Sequence, residues 1–178
     1  IIGINHDDLS DGSGKAGLTF WVDSLSCSGI PYSKNYTNKG GWKESNIRQE
    51  FLSGEIWNDL PDDFQLKIVT VAKKSLDCGN EGDSSCVVTP DKLFLASVSE
   101  LFGGNSQEGS QYERFASIGL NMNSQLGKSD YRISFTRSVE AKTRDYVWTL
   151  RVDVEPRYSA VSSQTLHSYD CVRFAFCF

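Results

Sequence analysis

The chain closes on 146-YVWTLRVDVEPRYSAVSSQTLHSYDCVRFAFCF-178. Both ends of this stretch show the period-2 alternation of a half-buried strand. In 146–154, Tyr146, Trp148, Leu150, Val152 and Val154 share one face, with Thr149, Arg151 and Asp153 on the other. In 171–178, Val172, Phe174, Phe176 and Phe178 share a face. Between the two strands the pattern breaks. The stretch has no Gly and no Asn, whereas the 145 residues before it hold all 15 Gly and nine Asn. Turns are usually built from those two residues because both tolerate positive φ. This connection is written in Ser, Tyr, Arg, His and Asp instead.

Outward from the tail, 131-YRISFTRSV-139 alternates as well, so the last third reads as antiparallel strands. The first half carries helix signals. In 42-WKESNIRQEFL-52, Ile47, Phe51 and Leu52 lie at i, i+4 and i+5, and Trp42 is placed to staple the start. In 60-LPDDFQLKI-68, Pro61 suits a first helical position and Asp62 and Asp63 suit the positive end of the dipole, with Leu60, Phe64 and Ile68 as the buried face. Strands are expected at 17–25, where Leu18, Phe20 and Val22 alternate with polar neighbours, and across the β-branched run 68–74. Residues 91–104 read as a short strand and a helical turn stopped by two Gly, followed by a polar loop to 111. Helices early and antiparallel strands late give a single α+β domain over 1–178, two helices packed on a twisted antiparallel sheet. The two terminal strand regions, both apolar, should bring the chain ends together.

Bulk properties narrow the function. The chain has 178 residues, 39% apolar and 23% charged, long enough for one real core. A net charge of −5 argues against nucleic acid as a partner. No apolar run reaches membrane-spanning length, so direct membrane insertion is not expected. The start at Ile1, without Met, reads as part of a longer chain. Five cysteines fit no metal pattern. Cys78 and Cys86 bracket a short polar loop and are the one pair expected to bridge in an exported domain; otherwise buried thiols are expected. Cys171 and Cys177 share a strand face about 20 Å apart and cannot bridge each other.

Several stretches in order resemble a domain family carried on surface and tail proteins of gut bacteria and their phages: 6-HDDLSDGSGKAGLTF-20, 40-GGWKESNIRQEFL-52, 56-IWNDLPDDFQLKIVTVAKK-74, 91-DKLFLASVSELFG-103, 146-YVWTLR-151 and 172-VRFAFCF-178. The family's late motif usually reads Trp-Trp-Leu-Arg-Ser-Pro, of which Val147 to Asp153 keeps only part. Its closing motif usually has Gly and Pro where this chain has Cys171 and Phe174. The resemblance implies a C-type-lectin-like fold, shared broadly with formylglycine-generating enzymes. It is also similar to the variable proteins of diversity-generating retroelements, which keep a rigid scaffold and randomise surface residues near the C-terminus, chiefly at template Asn codons. A rewritten tail would lose Asn and gain Ser, Tyr, Asp, His, Arg and Cys, the composition of 157-RYSAVSSQTLHSYDC-171.

The triplets 57-WND-59 and 155-EPR-157 look like the calcium-dependent sugar site of C-type lectins, but in reversed order, and Arg157 stands where an oxygen donor is needed. The run 6-HDD-8 reads as a solvated turn rather than a metal site. Formylglycine-generating chemistry needs two cysteines five apart, and six apart places Cys171 and Cys177 differently. No nucleophile elbow, phosphate loop or acid–base pair is visible, so no catalytic residue, metal or cofactor is expected. In W-x-x-S-x-x-R (Trp42, Ser45, Arg48) the Ser and Arg face alike on a helix; a ligand site is one reading, and an internal strut with a core Trp the favoured one. Arg151 and Arg173 are expected to pair with carboxylates.

The segment 153–170 remains. It contains Tyr158 and Tyr169 and four Ser in 18 residues, the mix paratopes use for broad, adaptable contact. The binding residues expected are Asp153, Glu155, Arg157, Tyr158, Ser159, Gln164, His167, Tyr169 and Asp170. The function expected is a non-enzymatic binding or adhesion module for a protein or glycan ligand, at a cell surface, secreted, or on a phage virion. The alternatives are a scaffold domain of a larger surface or tail protein, and a formylglycine-generating-enzyme-like oxidase.

Overall fold

The computed structural model describes residues 1–22, 30–35, 37–78, 85–104, 107–121, 131–142, 146–153, 158–165 and 171–178, with the backbone alone at 131–133, 151–153 and 158–165. In chain order the elements are β1 (Gly3–Ile4), β2 (Leu18–Trp21), a π-helix (Ile47–Ile56), α1 (Trp57–Asp59), α2 (Asp62–Gln65), β3 (Val71–Leu76), β4 (Cys86–Asp91), β5 (Leu93–Phe94), α3 (Val98–Phe102), α4 (Glu113–Ser117), β6 (Tyr131–Val139), β7 (Tyr146–Asp153), β8 (Tyr158–Thr165) and β9 (Ala175–Cys177). This is an α+β chain with antiparallel strands. They form three small sheets rather than the one expected: β1-β2-β9-β5, β3-β4 and β6-β7-β8.

The terminal strands meet as expected. β9 lies between β2 and β5, with Phe20 opposite Phe176, and Leu18 and Phe178 exchange backbone hydrogen bonds at 3.1 and 3.0 Å. β9 differs from the alternating pattern because both its faces are covered. Ala175, Phe176 and Cys177 are all buried, as are Val172, Arg173 and Phe174 before them. The same holds in β7. Val147 belongs to the main core around Trp42, Phe51, Phe94 and Val172. Leu150 belongs to a second core with Ile2, Leu101, Phe102, Tyr112 and Phe115. Thr149, read as lying on a polar face, is buried. Where the strand runs between two cores, at Val147, Thr149 and Leu150, a polar residue does not mark a solvent face.

The helix at 47–56 is where the sequence places it, with Ile47, Phe51 and Leu52 buried, but its winding is π. Ser53 donates its hydroxyl to the Gln49 carbonyl at 2.6 Å. That side chain competes for the acceptor an α-turn would use, and Gly54 beside it lowers helix propensity further. The expected second helix is only the four-residue α2; Pro61 is its N-cap at ψ 141 rather than its first residue. α3 follows its sequence cues closely. Ser97 and Glu100 form a reciprocal capping box, and Gly103 ends the helix at φ 72.

The expected Cys78–Cys86 bridge is not made: both residues are thiols. Cys86 pairs with Leu76 in the β3–β4 ladder, two residues short of Cys78. Such diagonal neighbours are separated by about 7–8 Å, beyond ordinary disulfide reach. Cys177 is a free, buried thiol, while Cys171, expected as a thiol, is disulfide-bonded. Cys27 lies outside the described residues.

Candidate functional site

A cavity of about 510 Å³ opens beside the π-helix. Arg48, Gln49, Leu52 and Ser53 come from the helix, Trp57 from α1, Pro90 and Asp91 from β4, Leu93 from β5, and Lys92 from the bend between those strands. The π winding makes this wall. Its i→i+5 bonding takes more than four residues per turn, so residues four and five apart stack on one face. Positions 48, 52, 53 and 57 follow that spacing; under 3.6-residue winding Arg48 and Trp57 would sit on opposite sides.

Arg48 is anchored as the strut the sequence suggested. Its Nε donates to Asp91 Oδ1 at 2.6 Å. Trp42 is fully buried, and its Nε1 donates to Asp91 Oδ2 at 2.9 Å, while Thr89 Oγ1 donates to the same oxygen at 2.6 Å. Asp91 is thus a buried acceptor shared by helix and sheet. Ser45 supports the turn by donating to the Trp42 carbonyl and accepting from the Arg48 amide. Across the cavity the Lys92 ammonium lies 4.4 Å from the centroid of the Trp57 ring. Trp57 is half-buried and packs on the core edge. Asn58 and Asp59 after it are exposed.

A second polar constellation lies inside the molecule. Arg137 on β6 is fully buried, and all five guanidinium N–H groups have acceptors. Nε donates to the Lys74 carbonyl, Nη1 to the Leu95 carbonyl and Glu100 Oε2, and Nη2 to Glu100 Oε1 and the Glu108 carbonyl, at 2.5–2.9 Å. Lys73 on β3 is buried too, donating to Asp7 Oδ1 and Glu100 Oε1 at 2.5 Å and to the Tyr112 hydroxyl at 3.2 Å. Burial would raise the Asp7 carboxyl, but the Lys73 ammonium and hydrogen bonds from Lys73 and Thr19 hold it at about 2. Burial likewise opposes ionisation of Glu100, and Arg137 and Lys73 bring it below its usual value. Glu108 goes the other way: burial outweighs Arg137 and the bond from Ser138, and its carboxyl is raised. The run 6-HDD-8 is therefore not a solvated turn as a whole, since Asp7 sits in the core. Its polar neighbours in sequence conceal this, and no local signal reveals it.

Two further groups bear on chemistry. His6 Nδ1 lies 2.9 Å from Glu113 Oε1 and Nε2 lies 3.4 Å from Ser110 Oγ. The Ser–His contact is longer than a nucleophile–base hydrogen bond, and Glu113 is largely exposed. The group ties the N-terminal strand to α4. Cys177 Sγ is 3.4 Å from Thr19 Oγ1 and 3.5 Å from Asp7 Oδ2. Burial, then the Asp7 charge, push its thiol up to about 12. Arg173 is buried with its guanidinium 5.7 Å from the Trp21 ring centroid.

Of the binding residues expected in the tail, Glu155, Arg157, His167, Tyr169 and Asp170 lie outside the described residues. Asp153 ends β7, and Tyr158, Ser159 and Gln164 fall on β8. The pattern breaks past Val154, so 158–165 is expected to be part of a connection between strands. It is a strand antiparallel to β7, with Tyr158 opposite Val152 and Gln164 opposite Val147, and a register shift between Val147 and Thr149. Among the described residues β8 is an outer strand of its sheet. YSAVSSQT lacks the apolar alternation that would mark it, and its partner supplies the pairing.

A family model described as a domain of unknown function (DUF6273) matches residues 17–178, all but the first 16 residues. No curated protein and no solved structure matches the chain.

Proposed function

The chain belongs to the DUF6273 family, and from that premise we propose that it is a non-enzymatic ligand-binding module of C-type-lectin-like fold. Its binding surface is β8 with the residues flanking it, Asp153 to Asp170. The observation that carries this reading is the place of the Ser-rich strand that Tyr158 opens. Among the described residues β8 is an edge strand of β6-β7-β8, two strands away from Arg137, whose five satisfied donors tie β6 to β3, to Leu95 just after β5, to α3 and to Glu108. An edge strand on the far side of its sheet from the strand that Arg137 anchors suits an interface that tolerates changes of sequence. Tyr158, Tyr169 and Arg157 are the anchors, because Tyr and Arg dominate interface hot spots. The ligand is a protein or glycan of a cell surface, and the module works at a cell surface, in secreted form or on a phage virion.

The thiol chemistry supports a non-enzymatic reading. A Cys177 thiol held at about 12 is protonated at neutral pH and is a poor nucleophile, and a disulfide-bonded Cys171 offers no thiolate. The test is a screen of the purified chain against glycan and cell-surface protein panels. Saturable binding to a defined partner is expected. Silence across both panels would favour a scaffold domain, and oxidase turnover that depends on Cys177 would favour the enzyme.

A further inference from the structure

We infer that the cavity beside the π-helix is a binding site for a small organic carboxylate with an apolar body, separate from the C-terminal surface. Its size suits a ligand of that class. Its charge is positive although the chain carries −5 overall. Asp91 is the only carboxylate among the lining residues, and it is buried and already accepts from Arg48, Trp42 and Thr89. Arg48 is paired with Asp91, so the lining carries one net positive charge, with Arg48 and Lys92 as its two cations. Lys92 is exposed and has no ion-pair partner among the described residues; its ammonium is poised over Trp57 instead. Arg48 spends its Nε on Asp91, but Nη1 and Nη2 make only 3.3 Å contacts with the carbonyls of Lys43 and Pro90.

An anion between these cations would gain charge-assisted hydrogen bonds from donors that are otherwise weakly used. The rest of the lining decides what hangs from the anion. Leu52, Leu93, Pro90 and Trp57 give apolar walls, which favour a hydrocarbon body over a bare oxyanion. A carboxylate on an aliphatic or aromatic frame meets both requirements.

The experiment is a titration of the whole chain, isotopically labelled, with phenylacetate, its neutral analogue phenylacetamide, acetate and inorganic phosphate, followed by amide chemical shifts. Phenylacetate should shift residues 48–57 and 90–93 saturably, with the amide and acetate each weaker by about tenfold or more. Lys92→Met keeps an apolar cover on Trp57 and removes the charge. It should weaken phenylacetate by about fivefold or more while leaving phenylacetamide and the melting temperature unchanged. Equal affinity for acid and amide would overturn the proposal, as would acetate or phosphate binding as well as phenylacetate, an unaffected Lys92→Met variant, or shifts located elsewhere.

Discussion

Arg137 shows how much one residue can organise. It is buried, yet each of its donors has an acceptor, and its charge is shared with Glu100. Removing one partner of such a pair leaves a buried charge uncompensated, at a cost of about 3–5 kcal/mol. Arg137→Met should therefore lower stability by that amount in urea unfolding. Glu108 offers the contrast. Its raised carboxyl means that the fold prefers it neutral. The stability it contributes is present at low pH and is lost as pH rises through its folded value. Glu108→Gln, which is neutral at every pH, should be nearly silent in acid and become relatively stabilising as the buffer is made more basic. Thermal melts from pH 4 to 8 should coincide for parent and variant in acid and separate as pH rises, with the variant melting higher; a constant offset, or a parent that melts higher at basic pH, would contradict this sign. Neither role was legible in the sequence. TRSV reads as one strand among several, and Glu108 sits in a run that looks like loop.

At the scale of elements, legibility followed local chemistry. The helical turn within 91–104 and its stop at Gly103 were readable because both depend on residues within a few positions. The buried face Ile47, Phe51, Leu52 was readable too, and its i+4, i+5 spacing is the one sequence hint of the π winding. Strand β8 was not readable, since its reason for existing is the neighbouring strand. Half of the cavity was in view through Arg48, whereas Lys92 and Trp57 join it only through the packing of β5 against the helix. The tight approach of the helix-leading loop to β3 gives an element-scale prediction. Gly41 has φ +53, and a Cβ there would lie 1.9 Å from the Leu76 carbonyl oxygen. Gly41→Ala should cost about 2 kcal/mol or more through strain and displacement of the strand end. A loss below about 0.5 kcal/mol in denaturant unfolding would mean the loop can move away.

The whole molecule is three small antiparallel sheets joined by a buried ionic cluster, so its stability should fall in acid. Asp7 is held at about 2, and Glu100 is also lowered. A depressed carboxylate stabilises above its ordinary pKa, and that contribution is lost as pH falls through the folded value. For Asp7 the contribution is about 2 kcal/mol at neutral pH. Melting temperature should hold from pH 7 to about 5 and drop between about pH 4 and 2. Lys73→Met should destabilise at pH 7 and flatten that acid limb, because the carboxylates would no longer be held down.

The same rigid frame underlies the proposed function, in which the tail can change while the frame does not. Exposed interface positions typically cost within about 0.5 kcal/mol on substitution, whereas a core residue such as Phe176 costs about 3–5 kcal/mol as Ala. The most direct measurement is made on Arg157→Ala, Tyr158→Ala and Tyr169→Ala combined in one chain, with melting temperature and panel binding compared with the parent. The account predicts a melting temperature close to the parent's and loss of a specific partner. A triple variant that unfolds, or one that binds every partner as the parent does, would contradict it.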